Sequence, residues 1–332
     1  MYFHFSKNFK GAQLMNSFYK DWSSYSFFFS AEYSQDFLKK RYLSKGISDA
    51  EKNSFDNCYP FIYYLEHGKI YFEQAELSPF ILKPILLFYG LVHLIKACIL
   101  TLDPLYPENT SVLAHGVSAR KRKKQNYQFF KDEVKFQKNG LYPHLSEVMF
   151  HMKQLEGEKA NMEELLSLIP ELDPLFRRIE SKSSFTMVSK IHNELLIPEK
   201  ILDRFHMTDS RFGEYLISKS GIPLKFQGKK EKQLIFRTEG SIFTAHSPFK
   251  FNIDENKIVF PLAKTELFHF PELMIHYLLL YNLSMIARYE TEWWSELIKT
   301  MPNRDYPFIY SFLDCTLKKS PFLIFNYLLD GN

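Results

Sequence analysis

Residues 85–100 read ILLFYGLVHLIKACIL and contain the clearest helix of the sequence. Pro84 suits the first helical turn, where its missing N–H costs nothing, and Asp103-Pro104 should end the helix. Because nearly every face of this helix is apolar, we expect it to lie buried at the centre of the protein.

The polar exceptions in this helix fall on one face. Tyr89, His93 and Lys96 stand at i, i+4 and i+7. A lysine near the end of a buried helix either extends its amine to the surface or contacts a ligand, and His93 can equally be a core histidine. The stripe is therefore a candidate binding surface and a candidate solvent boundary.

A second long helix is predicted from Pro271 to Lys299, PELMIHYLLLYNLSMIARYETEWWSELIK, which would be about 43 Å long. Tyr277, Tyr281, Ser284 and Arg288 again form one polar stripe on an apolar rod. Residues 303–330 are rich in Phe, Ile and Leu, and we expect one or two closing helices there.

The densest positive charge follows the first helix, in residues 111–140, SVLAHGVSARKRKKQNYQFFKDEVKFQKNG. Its eight cations and two carboxylates give +6, whereas the whole chain is +4. Five of the cations are consecutive, Arg120 to Lys124, so the run must face either solvent or an anionic partner. Just before it, Gly116 allows a tight turn after His115.

The rest of the chain is predicted to be mainly helical. Helices are expected within 10–56, at 146–169, at 183–196 and at 198–219, with a loop at 53–60. Between 222 and 262 the pattern changes to short strands, the last two forming a hairpin around Asp254-Glu255-Asn256. We therefore predict three segments: a helical region 1–220, a small β insertion 221–264, and helices 265–332 packed with the first region as one unit.

Composition limits the class of protein. Apolar residues make up 45% of the chain, which indicates a globular fold. Three scattered cysteines predict neither disulfides nor structural zinc, and no metal or cofactor motif is evident. The apolar runs 85–100 and 273–287 are shorter than the roughly 20 residues of a membrane span, so we expect a cytoplasmic protein without a membrane segment.

Several blocks carry a family resemblance. KPILLFYGLVHLIKACILT, LAHGVSARKRKKQNYQFF, DEVKFQKNGL and LLYNLSMIARYETEWW resemble signatures of the bacterial YaaC-like family along the full chain. More distantly, residues 88–97 followed by His115-Gly116 are similar to helical domains of the HEPN superfamily. The resemblance implies a HEPN-like helical core and a homodimer as one form of assembly. Relatives encoded beside IMP dehydrogenase imply a link to a purine-pathway enzyme.

HEPN ribonucleases carry an arginine followed by a histidine after four to six residues on one helix. No arginine of this chain has that spacing: Arg204 and His206 are too close, and Arg237 and His246 are too far apart. The resemblance therefore favours the non-catalytic, ligand-binding members over the ribonucleases.

We predict a binding protein for a phosphate-bearing ligand, either a nucleotide or RNA. The alternatives are a regulatory partner of a metabolic enzyme, and a ribonuclease in which His115 is the base while Lys96 or Arg288 stabilises a phosphate. The candidate ligand-binding residues are Tyr89, His93, Lys96, His115, Gly116, Arg120, Lys121, Arg122, Lys123, Lys124, Tyr127, Lys138, Tyr281 and Arg288.

Overall fold

The computed structural model describes residues 19–119, 127–152, 156–240 and 247–330. Its helical body is built from α1 (Ala31–Ser44), α2 (Ala50–Leu77), α3 (Lys83–Leu100), α9 (Glu272–Tyr289), α10 (Thr291–Thr300) and α11 (Asp305–Leu329). A 3-10 helix, Trp22–Phe29, precedes α1. The central helix is confirmed: α3 contacts α2, α9 and α11, and Leu87, Leu91 and Leu94 are fully buried.

The predicted loop at 53–60 is wrong, because α2 continues through Pro60. Proline removes the hydrogen bond to the carbonyl four residues earlier, here that of Asp56. Both Asp56 and Pro60 are exposed, so water can satisfy this carbonyl. The opposite face buries Phe61 and Leu65 completely, and this burial outweighs the loss of one hydrogen bond.

The helix predicted at 271–299 is two helices. The backbone leaves helical geometry at Glu290 (φ −119°, ψ 49°), between α9 and α10. After this break the fully buried Trp294 donates its indole N–H to the carbonyl of Ile81, 2.9 Å away. The break therefore lets α10 dock on the segment that precedes α3.

The long helix predicted at 146–169 is also wrong. The chain there forms α4 (Leu141–Phe150), a short strand β3 (Lys159–Asn161) and α5 (Met162–Ser167). His151 ends α4 in the left-handed region (φ 53°), and β3 pairs with β2 (Glu133–Phe136). Together with β1 (Val117–Ala119) these strands form an antiparallel sheet in the order β1-β2-β3.

A second antiparallel sheet has the order β6-β7-β5-β4-β9-β8. Its strands are β4 (Phe185–Ile191), β5 (Glu194–Pro198), β6 (Leu224–Lys230), β7 (Gln233–Thr238), β8 (Lys250–Asn252) and β9 (Lys257–Pro261). The helix predicted at 183–196 is therefore wrong: β4 and β5 form a hairpin that turns at His192 (φ 52°) and Asn193. The predicted hairpin of β8 and β9 is confirmed.

The sheet includes strands from before residue 220, so it is wider than the insertion predicted at 222–262. One of the short strands predicted between 222 and 262, SIFTAH at 241–246, lies outside the described residues. The helix predicted at 198–219 is divided at His206 (φ 52°) into α7 (Ile201–Phe205) and α8 (Asp209–Lys219). A further short helix, α6 (Asp173–Ile179), precedes β4.

The architecture is thus mainly helical, as predicted, and it contains two small antiparallel sheets where one β insertion was predicted. The HEPN likeness and the division into three segments stay predictions. In the described part of the chain, Phe80–Leu100 is long and apolar enough to cross a membrane, with a mean hydropathy of 1.7. A core helix passes the same test, and half of this segment is buried within the fold.

Candidate ligand site around His115

The His-Gly turn is fixed by backbone hydrogen bonds. Gly116 is buried at φ +76°, and a Cβ atom there would lie 2.9 Å from the amide nitrogen of Tyr142, so only glycine fits. The carbonyl of His115 accepts hydrogen bonds from the Tyr142 N–H (3.2 Å) and the Tyr277 hydroxyl (2.8 Å). These contacts hold the turn between the start of α4 and the middle of α9.

The imidazole of His115 packs half-buried among aromatic rings. Ring centroids lie 5.0 Å from Phe88, 5.7 Å from Tyr281 and 6.3 Å from Tyr89. Burial lowers the pKa of His115, and the charges of Arg288 and Lys96 lower this pKa further. The ring is therefore neutral near pH 7 and can act as one donor and one acceptor.

Arg288, in the last turn of α9, approaches the same place. Its guanidinium donates to the carbonyl of Ser284 (3.1 Å) and to the hydroxyl of Tyr89 (3.3 Å). It also lies 5.9 Å from the Tyr89 ring and 5.2 Å from the Tyr289 ring. The stripes of α3 and α9 therefore meet through Tyr89 and Arg288.

Lys96 and His93 continue the cluster toward α2. The Lys96 amine lies 5.6 Å from the Tyr64 ring, and burial lowers the pKa of Lys96. The His93 ring stacks on Tyr71 at 5.5 Å and lies edge-on to His67 at 5.3 Å. Burial, followed by the charges of Lys96 and His67, lowers the pKa of His93 to about 4, so this ring is neutral too.

Arg288 and Lys96 lack counterions in the part of the chain that the structure describes. No carboxylate oxygen of the described residues lies within 4.0 Å of either side chain. Both side chains are half-buried. We refer to Tyr89, His93, Lys96, His115, Tyr281 and Arg288 as the His115 cluster.

Two other predicted site residues that the structure describes, Tyr127 and Lys138, are not members of this cluster. The Tyr127 hydroxyl donates to Asp132 (2.7 Å) and its ring packs edge-on to Trp293 at 4.7 Å. Lys138 is exposed on the turn after β2. The basic run Arg120–Lys124 lies outside the described residues, although β1 ends directly before it at Ala119.

The sequence reasoning missed a buried ionic network on the other side of α9. The Lys319 amine in α11 lies 2.6 Å from Glu171 and 2.9 Å from Glu272, and donates to the carbonyl of Phe251. His276, one turn after Glu272, lies 3.7 Å from the same carboxylate and 3.0 Å from the Thr316 hydroxyl. The side chains of this network are 4% exposed or less.

Lys250 extends the network to the second sheet. Its amine donates to the carbonyls of Phe270 and Ser247, the latter 3.3 Å away, and Lys250 is 2% exposed. Burial lowers the pKa of Lys250 to about 7, opposed by the charge of Glu272. A small cleft beside Lys250 and Glu272 is lined mainly by apolar side chains.

The two regions differ in what they can do chemically. The buried network is closed and internally paired, which suits fixing α9, α11 and β8 together. The His115 cluster is half-buried, cationic and aromatic, which suits binding an anion that carries a ring. Among the described residues, no group of three or more His, Cys, Asp or Glu side chains is placed to hold a metal ion.

Comparison with known proteins gives a match to one family model, which covers most of the chain. No curated protein and no solved structure matches the chain. The model of the YaaC-like protein family matches residues 26–328. This match includes α1 to α11 and both sheets, and the chain therefore belongs to the YaaC-like family.

Proposed function

We propose that this protein binds a phosphate-bearing ligand, either a nucleotide or RNA, at the His115 cluster. The observation that carries the proposal is the pair of half-buried cations, Lys96 and Arg288, that face aromatic rings instead of carboxylates. Removing a cation from water without pairing it costs free energy, and the lowered pKa of Lys96 reflects that cost. An anionic ligand would supply the missing counterion.

Each member of the cluster has a role in this proposal. Arg288 offers a planar fork of donors to a phosphate, and Lys96 offers a point charge. Neutral His115 adds one hydrogen-bond donor without repelling either cation. The half-buried ring of Tyr89 supplies aromatic surface for a base, and the buried ring of Tyr281 packs behind His115.

The basic run adds a second source of affinity. It begins directly after β1 and five residues after His115 in the sequence. Five cations suit several phosphates in a row better than the phosphates of one nucleotide. An RNA would therefore use both the run and the cluster, whereas a nucleotide would use the cluster alone.

Binding can be measured by thermal shift and isothermal titration with purine and pyrimidine nucleotides and short RNAs. A ligand at a hundred times its Kd stabilises the native state by about 2.7 kcal/mol. Arg288→Gln should weaken binding roughly tenfold or more, since a hydrogen bond to a charged group contributes about 1.5–3 kcal/mol. Arg211→Gln on α8, an exposed arginine away from the cluster, is the matched control and should bind as the wild type does.

The same titrations separate the two ligand classes. Replacing all five residues of the run by glutamine should abolish RNA binding with thermal stability nearly unchanged, and should reduce the salt dependence of affinity. Nucleotide binding should survive this replacement. Binding that is indifferent to Arg288→Gln, or a panel that yields no binding at all, would overturn the proposal.

A ribonuclease reading is tested with the same protein. The cluster holds a neutral histidine and two cations, which suffice in principle for acid–base cleavage of RNA. Intact RNA after long incubation would leave binding as the function. Cleavage that His115→Ala removes would replace the binding proposal with the enzymatic one.

A further inference from the structure

One face of α2 carries a continuous row of exposed residues at helical spacing. We call this row the α2 stripe; it consists of Lys52, Phe55, Tyr59, Tyr63, Glu66, Ile70, Glu73 and Leu77. All are exposed except Glu73, which is half-buried and has a carboxylate oxygen 2.8 Å from the Lys69 amine. Successive members are three or four residues apart, so all lie along one side of the helix. Phe55 is 69% exposed and Leu77 is 81% exposed.

Two other faces of α2 pack within the fold. The opposite face packs on α1 and α3 and buries Phe61, Leu65 and Phe72. An intermediate face carries Tyr64 and Tyr71, whose rings lie against His93. The α2 stripe is thus a third face, with five large apolar side chains in water along a helix of 28 residues.

The spacing of the stripe identifies the shape of its partner. Side chains at intervals of three and four residues pack into the holes between the side chains of a second helix that lies nearly parallel or antiparallel to the first. At about 1.5 Å per residue, α2 is about 42 Å long, so a partner helix of similar length is needed to cover the stripe.

We propose that the partner is α2 of a second copy of this chain, antiparallel, with the two-fold axis between residues 62 and 63. This axis brings together residues whose numbers sum to 125. Lys52 then faces Glu73 of the second copy, Phe55 faces Ile70, and Tyr59 faces Glu66. In this register Lys52 meets a carboxylate, Phe55 meets an apolar side chain, and the hydroxyl of Tyr59 meets the carboxylate of Glu66, while Leu77 lies beyond the end of the second helix.

A parallel pair of the same helices lacks this match. In register it would place Glu66 on Glu66, Glu73 on Glu73 and Lys52 on Lys52, and like charges at facing positions destabilise a pair. The antiparallel axis also lies one residue from the midpoint of Ala50–Leu77, so the two helices overlap over nearly their full length. Charge and length therefore favour the same arrangement.

Light scattering after size exclusion tests the dimer. The wild type should have twice the mass of one 39.5 kDa chain. Tyr59→Glu places a second carboxylate opposite Glu66 and should halve the measured mass, with an unchanged circular dichroism spectrum. Leu105→Glu, at a 67% exposed leucine outside α2, is the matched control and should stay dimeric.

Charge reversal tests the register. Lys52→Glu should weaken the dimer by placing a carboxylate opposite Glu73, and Lys52→Glu with Glu73→Lys should restore it. A wild-type mass of one chain at the concentrations of the assay would overturn the proposal, whatever else covers the stripe. A double variant that does not recover the dimer mass would overturn the antiparallel pairing.

Cross-linking provides an independent readout of orientation. Tyr63→Cys lies beside the axis and should cross-link to its own copy with a short bismaleimide, above the level given by the native cysteines in the wild type. Two Leu77→Cys residues would be 29 positions apart along the pair, about 43 Å, and should not cross-link. Cross-linking at Leu77→Cys in place of Tyr63→Cys would show a parallel pair and refute the proposal.

Discussion

Replacing Lys319 with methionine should destabilise the protein strongly, because this lysine compensates two buried carboxylates. Its amine lies 2.6 Å from Glu171 and 2.9 Å from Glu272, and the side chain is fully buried. Burial raises the pKa of Glu171, whereas the charge of Lys319 lowers it. Methionine fills a similar volume but leaves both carboxylates without their shared cation.

The magnitude follows from this geometry. Breaking a buried ion pair by removing one partner costs about 3–5 kcal/mol, because the remaining charge stays in a medium of low polarity. With an unfolding entropy of about 2.1 cal/mol/K per residue over 332 residues, this corresponds to a melting point lower by about 4–7 °C. The carbonyl of Phe251 also loses its donor, which acts in the same direction.

Urea denaturation followed by circular dichroism measures the effect. Lys318→Met, one residue earlier and exposed, is the matched control and should change the free energy of unfolding by less than about 0.5 kcal/mol. Lys319→Met combined with Glu171→Leu and Glu272→Leu should recover much of the loss, since the uncompensated charges are gone. A Lys319→Met protein as stable as the Lys318→Met control would refute the reasoning.

Three further substitutions test other parts of the fold by the same denaturation measurement. Leu91→Ala should cost about 2–5 kcal/mol because Leu91 is fully buried in α3, and an unchanged midpoint would contradict the central position of that helix. Gly116→Ala should cost more than the roughly 1–2 kcal/mol of left-handed strain alone, because the new Cβ also meets the Tyr142 amide at 2.9 Å. Lys250 has a pKa lowered to about 7, so its folded form releases a proton that the unfolded form keeps up to about pH 10.5. The free energy of unfolding should therefore rise between pH 7 and pH 10.5; the contribution of Lys250 is full above pH 10.5 and is lost as the pH falls toward 7. Lys250→Met should remove this pH-dependent rise. An identical pH dependence of unfolding in both proteins would exclude this role of Lys250.

Local sequence signals predicted the central helix α3 well. The apolar residues of α3 and the proline at its first turn mark a buried helix without any tertiary information. The stripes of α3 and α9 were also visible as periodicities, and the structure brings them together at Tyr89 and Arg288. Whether this meeting place binds a ligand stays a prediction.

The errors lie where tertiary contacts override local preference. Pro60 predicted a helix end, yet the packing of Phe61 and Leu65 carries α2 through it. Residues 183–196 were predicted as helix, but β4 and β5 pair with β9 and β7 on either side and form the centre of a sheet. Such pairing depends on residues about 35 to 76 positions away, which local periodicity cannot report.

The ionic network was invisible for a different physical reason. Its acids and bases come from separate segments of the chain, around residues 171, 250, 272 and 319, so no spacing pattern connects them. The available signal was a charge in a position that should be apolar: Lys319 and His276 each interrupt a helix whose neighbouring residues are almost all buried. A charge in such a position requires a partner, because an unpaired buried ion would cost more than the domain can supply.

The need of a buried charge for a partner also supports the proposed ligand site, where Lys96 and Arg288 are half-buried and the described part of the chain provides no carboxylate for them. In the network the fold itself supplies the opposite charges, whereas at the His115 cluster we infer that they come from a ligand.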